Sequence, residues 1–337
     1  MEENGVNKKK VSVCISVHNT ADLLPRCLDS VCSQTLQSLE IVLVNNGSTD
    51  NSEEIMRQYA NQHPERSFVI VAQDDRGLAQ GRQTGINHST GDYIVFLDAD
   101  DYVEKDAYEQ MLNCAIENDV DIVEIETFRE GKILSSPYVG KVDTRMVLKE
   151  FLVHKKLKTM LWLRLYKRSL FDKPVLPNLY TNNEDSFALP CLLYKADSIF
   201  FLKKVLHTYS TDNEQGVMHV LATNPQMAEK RFKNRQTALY ALPHFEGYVG
   251  ENGIKEIQIE YNKHKASSLC SFIFTNFASK TLLDKEKAVM DVLPYSSFEE
   301  MHEFIKKWIP STTILYKMVK VLGVNLTYSV YHCFKKV

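Results

Sequence analysis

No Cys-x-x-Cys pair occurs among the seven cysteines, Cys14, Cys27, Cys32, Cys114, Cys191, Cys270 and Cys333, which are odd in number and widely spread. That pattern argues against a disulfide framework or a zinc site and suits reduced, mostly buried thiols. No uninterrupted apolar run approaches the ~20 residues of a membrane-spanning helix, and the polar tail Met1–Lys10 lacks the apolar core of a signal peptide. The expected location is therefore cytoplasmic. Charge of one sign is also scarce: a formal net charge of −3 gives no general argument for nucleic-acid binding, and none is expected. No tandem repeat is evident. A Gly-rich, Lys-containing phosphate loop is missing near the first apolar run, which argues against a nucleotidyltransferase.

What remains is ordinary globular composition, 44% hydrophobic and 25% charged over 337 residues, enough for one large domain or two smaller ones. The most informative stretch is Gly91–Tyr102, an apolar run entered through Gly-Asp and left through Asp98, Asp100 and Asp101. It reads as a buried strand that delivers acids to its carboxyl end, the rim at which open α/β sheets bind ligands. Three carboxylates within four residues repel one another, and a divalent cation offsets that best, Mg²⁺ and Mn²⁺ taking hard oxygen ligands. The alternative is a solvated loop or helix start favoured by capping and the dipole.

Strand-like runs at Val11–Val17, Leu39–Val44 and Phe68–Val71 come earlier, each followed by a polar turn and a helical pattern. Helices are expected over Leu23–Val31, from Ser52, over Leu78–His88 and over Lys105–Glu117, with another apolar segment at Asp121–Ile125. This alternation predicts a doubly wound, mainly parallel sheet whose polar clusters share one rim. After Gly216 the pattern becomes helical, around Met227–Leu242, Ile254–Ala278, Asp284–Leu293 and Phe298–Ile309, with Thr223-Asn224-Pro225 as a helix start. From Lys306 to Val337 there are six Lys and no acid, interleaved with aromatic and aliphatic residues. That composition suits an amphipathic helix on an anionic bilayer, the alternative being a core-packed terminal helix with a basic face.

Val11–Asn19, Glu40–Asp50, Gly77–Gly85 and Gly91–Asp101 together resemble the successive signatures of family-2 glycosyltransferases, and the likeness continues at Trp162–Phe171 and Glu184-Asp185-x-Phe187. It covers roughly the first 210 residues. The resemblance implies a GT-A fold over residues 11–215, with a helical C-terminal domain over 216–337. It also implies a nucleotide-sugar donor with a UDP preference, Mn²⁺ or Mg²⁺, inversion at the anomeric carbon, and a saccharide or lipid-linked saccharide acceptor. Peripheral contact with the inner face of the cytoplasmic membrane, through 306–337, goes with such an acceptor.

Carried onto these residues, the resemblance gives Ser16, His18, Asn19 and Asn46 to the nucleoside, with His18 where a Tyr is frequent and Asn46 where an Asp is common. The Asn46 amide carbonyl can still accept from an imide N–H. Arg82 points toward the nucleotide, where a guanidinium could meet the diphosphate or a base carbonyl; the alternative is a surface Arg in an i,i+4 pair. Asp74 and Asp75 are read as helix caps. Asp100 is the first choice of direct metal ligand, Asp98 contacts the ribose or reaches the metal shell through water, Asp101 binds the metal, the donor sugar or only the helix end, and His207 closes the metal shell, with His219 as substitute. Asp185 matches the general base, with Glu184 beside it. Trp162 is read as core before sugar platform, and Pro174–Asn183 as an acceptor-facing loop. The competing reading is a non-catalytic sugar-nucleotide-binding or scaffold relative.

Overall fold

The computed structural model describes residues 9–154, 157–181, 183–213, 227–274 and 281–309. Two compact units share the chain, the first from Met1–Leu148 with Lys156–Gly216, the second from Lys149–Lys155 with Val217–Val337.

In the first unit the expected strands form as β1 (Val11–Val17), β2 (Leu39–Asn46), β3 (Ser67–Gln73) and β4 (Tyr93–Asp98). They lie in the order β3-β2-β1-β4, all parallel. Each is apolar at nearly every position because helices cover both faces, as parallel sheets require. On one face Val11, Val13, Ile15 and Val17 join Ile41, Leu43, Val95 and Leu97 under Leu24, Leu28 and Val31 of α1 (Leu24–Cys32). Each such side chain contributes about 1.5–3 kcal/mol on burial. On the other face lies α3 (Gly77–His88), which approaches so closely that a Cβ on Gly81 would sit 2.1 Å from Ser16 Oγ, and one on Gly85 3.0 Å from Cys14 Cβ. The missing side chains are what let α3 rest on β1.

Beyond β4 the sheet changes character. β5 (Tyr102–Val103), β6 (Ile122–Arg129), β7 (Lys132–Leu134), β8 (Gly140–Asp143), β9 (Arg164–Lys167) and β10 (Ser198–Thr208) complete it, in the path β4-β9-β6-β10-β5. β9 is antiparallel to both β4 and β6, whereas β6 and β10 are parallel. The parallel character read from the sequence thus holds across β3-β2-β1-β4, while the short run at Arg164 enters the middle of the sheet from the opposite direction. α4 (Ala107–Glu117) and α6 (Glu184–Lys195) pack with this half, α6 opening on the acidic pair.

The second unit is helical, at Ala228–Thr237, Ala241–Glu256, Gln258–Phe274, Leu282–Met290 and Phe298–Trp308. The helix expected over Met227–Leu242 ends at Thr237, Ala241–Glu256 is a helix the pattern had not marked and is kinked at Gly250 (φ 71°), and the one expected from Ile254 begins at Gln258. Thr281 and Asp284 form a reciprocal capping box, and Ser297 caps the last helix. The expectations for Gly216, His219, Thr223–Pro225 and residues 310–337 lie outside the described residues. Among the described residues no helix is long and apolar enough to cross a membrane.

Candidate active site

The rim at the carboxyl ends of β1, β2 and β4 gathers the polar clusters. His18, exposed, donates from Nδ1 to the Asn46 carbonyl at 2.9 Å. Asn19 adopts φ 51°, a left-handed conformation that Asn tolerates, and its Oδ1 accepts from Thr49 N at 2.7 Å. Ser16 lies beneath α3. Asn46 is 3% exposed: its Oδ1 accepts from Gln73 Nε2 (2.6 Å), and its Nδ2 donates to Asp75 Oδ1 (3.3 Å) and the Gly77 carbonyl (3.4 Å). In this structure the amide that was to meet a base is engaged by the protein. Asp75 caps α3 through Gly77 N at 2.9 Å, and its other oxygen accepts from Tyr180 hydroxyl at 3.1 Å.

β4 ends in the acid turn. Asp101 N–H returns to the Asp98 carbonyl at 3.0 Å, tightening the chain so that three carboxylates leave it close together. Antiparallel pairing of β5 with β10 sets Val103 opposite His207, and the parallel register of β6 sets Thr127 opposite His207. Asp101 and His207 are therefore both buried, with Asp101 Oδ2 3.3 Å from His207 Nε2. Asp101 Oδ1 accepts from Ser210 N at 2.8 Å. Thr127 hydroxyl donates to the His207 carbonyl (3.2 Å), so it receives His207 Nδ1–H at 2.8 Å. That assignment leaves Nε2 as a bare lone pair. Neither Asp101 Oδ2 nor His207 Nε2 has a hydrogen-bond partner. Burial drives the His207 ring down to about 3, and burial with Asp98 and Asp100 pushes Asp101 up to about 9. Trp162 stacks on His207 with centroids 4.2 Å apart, so its ring is core, as read.

The four expected metal ligands divide. Asp98 Oδ1 accepts from Arg82 Nη2 at 2.7 Å and Asp100 Oδ2 from Asn213 Nδ2 at 2.8 Å, while Asp101 and His207 face each other. Among the described residues no three His, Cys, Asp or Glu side chains form a group that could hold a metal ion. The shared shell of Asp98, Asp100, Asp101 and His207 read from the sequence is accordingly not assembled, because each carboxylate has a protein donor of its own or is turned inward. The donor chemistry nonetheless fits a divalent ion: Asp101 Oδ2 and His207 Nε2, two buried atoms without a hydrogen-bond partner, lie 3.3 Å apart beside the two further carboxylates of the acid turn.

Arg82 is 3% exposed, so it is not a surface Arg in a helical pair. Its Nη1 donates to Glu184 Oε1 (2.5 Å) and Asp185 Oδ1 (2.9 Å). Glu184 is buried, and burial raises its carboxyl to about 8 against the opposing pull of Arg82. Asp185 stays 21% exposed and its Oδ1 also accepts from Leu161 N at 3.1 Å; burial raises it too, with Arg82 opposing.

Residues 12–141 match the sequence model of a known family, described as Glycosyl transferase family 2. Residues 12–141 belong to that family. Among similar proteins, the chain resembles Glycosyltransferase GlyA of Streptococcus pneumoniae, 30% identical over 213 residues that cover 59% of this chain and 30% of GlyA. The chain spans between 30% and 60% of the length of the first three curated relatives it matches. S. aureus TarS 1-349 in complex with UDP-GlcNAc superposes with a TM-score of 0.69 at 15% identity, covering 97% of this chain and 92% of that one. Mannosyltransferase PcManGT from Pyrobaculum calidifontis, in complex with GDP-Man and Mn²⁺, gives 0.53, covering 98% and 88%. At these identities the likeness establishes the fold, a GT-A sheet flanked by helices.

Two residues around this site were given no role by pattern. Arg26 on α1 donates to the Asp100 carbonyl (3.1 Å), Ser210 Oγ (2.7 Å) and Asp212 (3.0 Å), tying the acid turn to the end of β10. Arg164 donates to Glu124 and to the carbonyls of Met160 and Lys158, shaping the turn that offers Leu161 N–H to Asp185. The sequence signal for Arg164 was its place at the basic position of the Trp162–Tyr166 element, which gave it no role. Arg26 had none.

Proposed function

We propose that the protein is a metal-dependent inverting glycosyltransferase that moves a hexose or N-acetylhexosamine from a nucleotide sugar, preferably UDP-linked, to a glycan or lipid-linked saccharide. The observation that carries the reading is Asp185: a part-exposed carboxylate at the start of α6, joined through one guanidinium to Asp98 of the acid turn. Asp185 Oδ1 is occupied by Arg82 and Leu161 N–H, so Oδ2 is the atom that takes the acceptor hydroxyl proton. As that proton leaves, the hydroxyl oxygen bonds to the anomeric carbon, and the bond to the diphosphate oxygen breaks with its electron pair on the leaving group. Burial raises the Asp185 carboxyl toward the operating pH, which favours a general base. Glu184 supports it as the buried neighbour on the same guanidinium.

His18, Asn19 and the Asn45–Gly47 turn form the nucleoside end of the rim. Asp98, Asp100, Asp101 and His207 are the residues that would hold Mn²⁺ or Mg²⁺, and a bound ion would supply charge neutralisation at the departing diphosphate. The UDP preference and the ion draw support from TarS with UDP-GlcNAc and PcManGT with Mn²⁺. The basic, aromatic segment 306–337 is proposed as a peripheral membrane contact, testable by co-sedimentation with anionic and neutral vesicles.

Calorimetry with UDP, dTDP, GDP and CMP, with and without Mn²⁺, on wild type and Asp100→Ala tests the donor site. Metal-dependent binding lost in the variant supports it, and no binding under any condition refutes the transferase reading. Asp185→Asn then tests the chemistry: transfer should fall about 10²–10⁴-fold with nucleotide affinity retained. Full activity in that variant would remove Asp185 as base.

A further inference from the structure

Arg82 sits where three carboxylates converge, and its geometry differs from that of a diphosphate ligand. Nη2 reaches Asp98 Oδ1 at 2.7 Å; Nη1 reaches Glu184 Oε1 at 2.5 Å and Asp185 Oδ1 at 2.9 Å. The guanidinium plane lies over the Phe96 ring at 5.6 Å, and Arg82 as a whole is buried. The backbone that carries it is fixed: α3 is pressed on β1 through Gly81 and Gly85, on either side of Arg82. Both terminal nitrogens are already spent on carboxylates from two separate parts of the chain, the turn after β4 and the first turn of α6.

We infer that Arg82 is a positioning residue: its rigid fork holds the general base Asp185 at a fixed place relative to Asp98 and the donor turn. A planar guanidinium carries its two terminal nitrogens at an invariant separation, so carboxylates bound to opposite prongs are held in one register. A lysine supplies the same charge from a single nitrogen whose rotatable donors set no fixed separation between the two carboxylates. The arrangement makes Arg82 a determinant of the catalytic step and not of nucleotide binding, the role a basic residue after the third polar turn would otherwise suggest. This inference rests on the transferase reading with Asp185 as base.

The test compares wild type, Arg82→Lys and Arg82→Gln in three measurements: UDP affinity with Mn²⁺, steady-state transfer from a UDP-sugar, and hydrogen exchange of the Leu161 amide, which reports the position of Asp185 without turnover. Far-UV circular dichroism and a thermal melt establish folding, and Arg82→Lys, which keeps the charge, serves if Arg82→Gln does not fold. Expected are a UDP Kd within about threefold of wild type, a kcat at least about a hundredfold lower in Arg82→Gln and at least tenfold lower in Arg82→Lys, and faster Leu161 exchange in both. A tenfold weaker UDP Kd with kcat unchanged would overturn the inference and make Arg82 a donor ligand. Full kcat in Arg82→Lys would overturn the fork and leave only charge. If wild type neither binds a nucleotide nor transfers, the transferase reading fails; unchanged Leu161 exchange in the variants refutes the positioning of Asp185 separately.

Discussion

Arg164→Met is the sharpest test of how the interior supports the site. Arg164 is 0% exposed and Glu124 2% exposed, with Arg164 Nη2 2.6 Å and Nε 2.8 Å from Glu124 Oε2. Its remaining donors satisfy the Met160 carbonyl at 2.8 Å and the Lys158 carbonyl at 2.6 Å. Removing one partner of a buried pair costs about 3–5 kcal/mol, because the other charge is left without compensation. Burial already pushes the Glu124 carboxyl up, with Arg164 opposing, so the variant's Glu124 takes a proton. Two carbonyls also lose donors, at about 1–3 kcal/mol each where water cannot reach them. The expected loss in urea unfolding is thus at least about 3 kcal/mol, a large part of a domain's stability. The double variant Arg164→Met/Glu124→Leu should recover part of it, since an apolar pair needs no partner while the two carbonyls stay unsatisfied. A single-variant loss below about 1 kcal/mol, or two single losses that add within about 0.5 kcal/mol, would refute the reasoning. Transfer should also fall at temperatures where Arg164→Met is folded, because the Met160–Arg164 turn presents Leu161 N–H to Asp185.

Two further outcomes follow from buried polar groups. Burial by itself would raise Glu40, but hydrogen bonds from Lys10, Ser12 and Thr90 outweigh it and hold the carboxyl down to about 2 from an ordinary 4.5. A depressed folded pKa contributes stability above pH 4.5 that is lost as pH falls toward 2, about 3 kcal/mol in all. Glu40→Gln should flatten the acid side of a stability–pH curve by that amount, and an unchanged curve would refute it. His207, driven down to about 3 by burial, should show no titration between pH 5 and 8 in nitrogen-edited NMR spectra, and an inflection in that window would contradict the neutral ring.

The parallel half of the sheet was legible because its physics is local. β1, β2 and β4 are apolar runs bounded by polar turns, and α1 and α3 carry helical spacing or small residues that fit against them. Asp98, Asp100, Asp101, Glu184 and Asp185 were legible as acids at element ends. β9 was not legible as a strand: four residues, Arg164–Lys167, give too short a period to recognise, and their place depends on pairing with both β4 and β6. Nor could spacing show that Asn46 spends its amide on Gln73 and Asp75, residues from the next strand and its turn.

By itself, then, the sequence determined which residue types stand at the rim and which elements deliver them, since alternation, turns and caps are set by neighbours in the chain. Tertiary structure alone decided their partners. Arg82 and the acidic pair lie about a hundred positions apart, as do Asp101 and His207, and only the closing of the sheet brings them within ion-pair distance. The charge state and direction of each group depend on that meeting, because burial and the nearest opposite charge, and not residue type, set both.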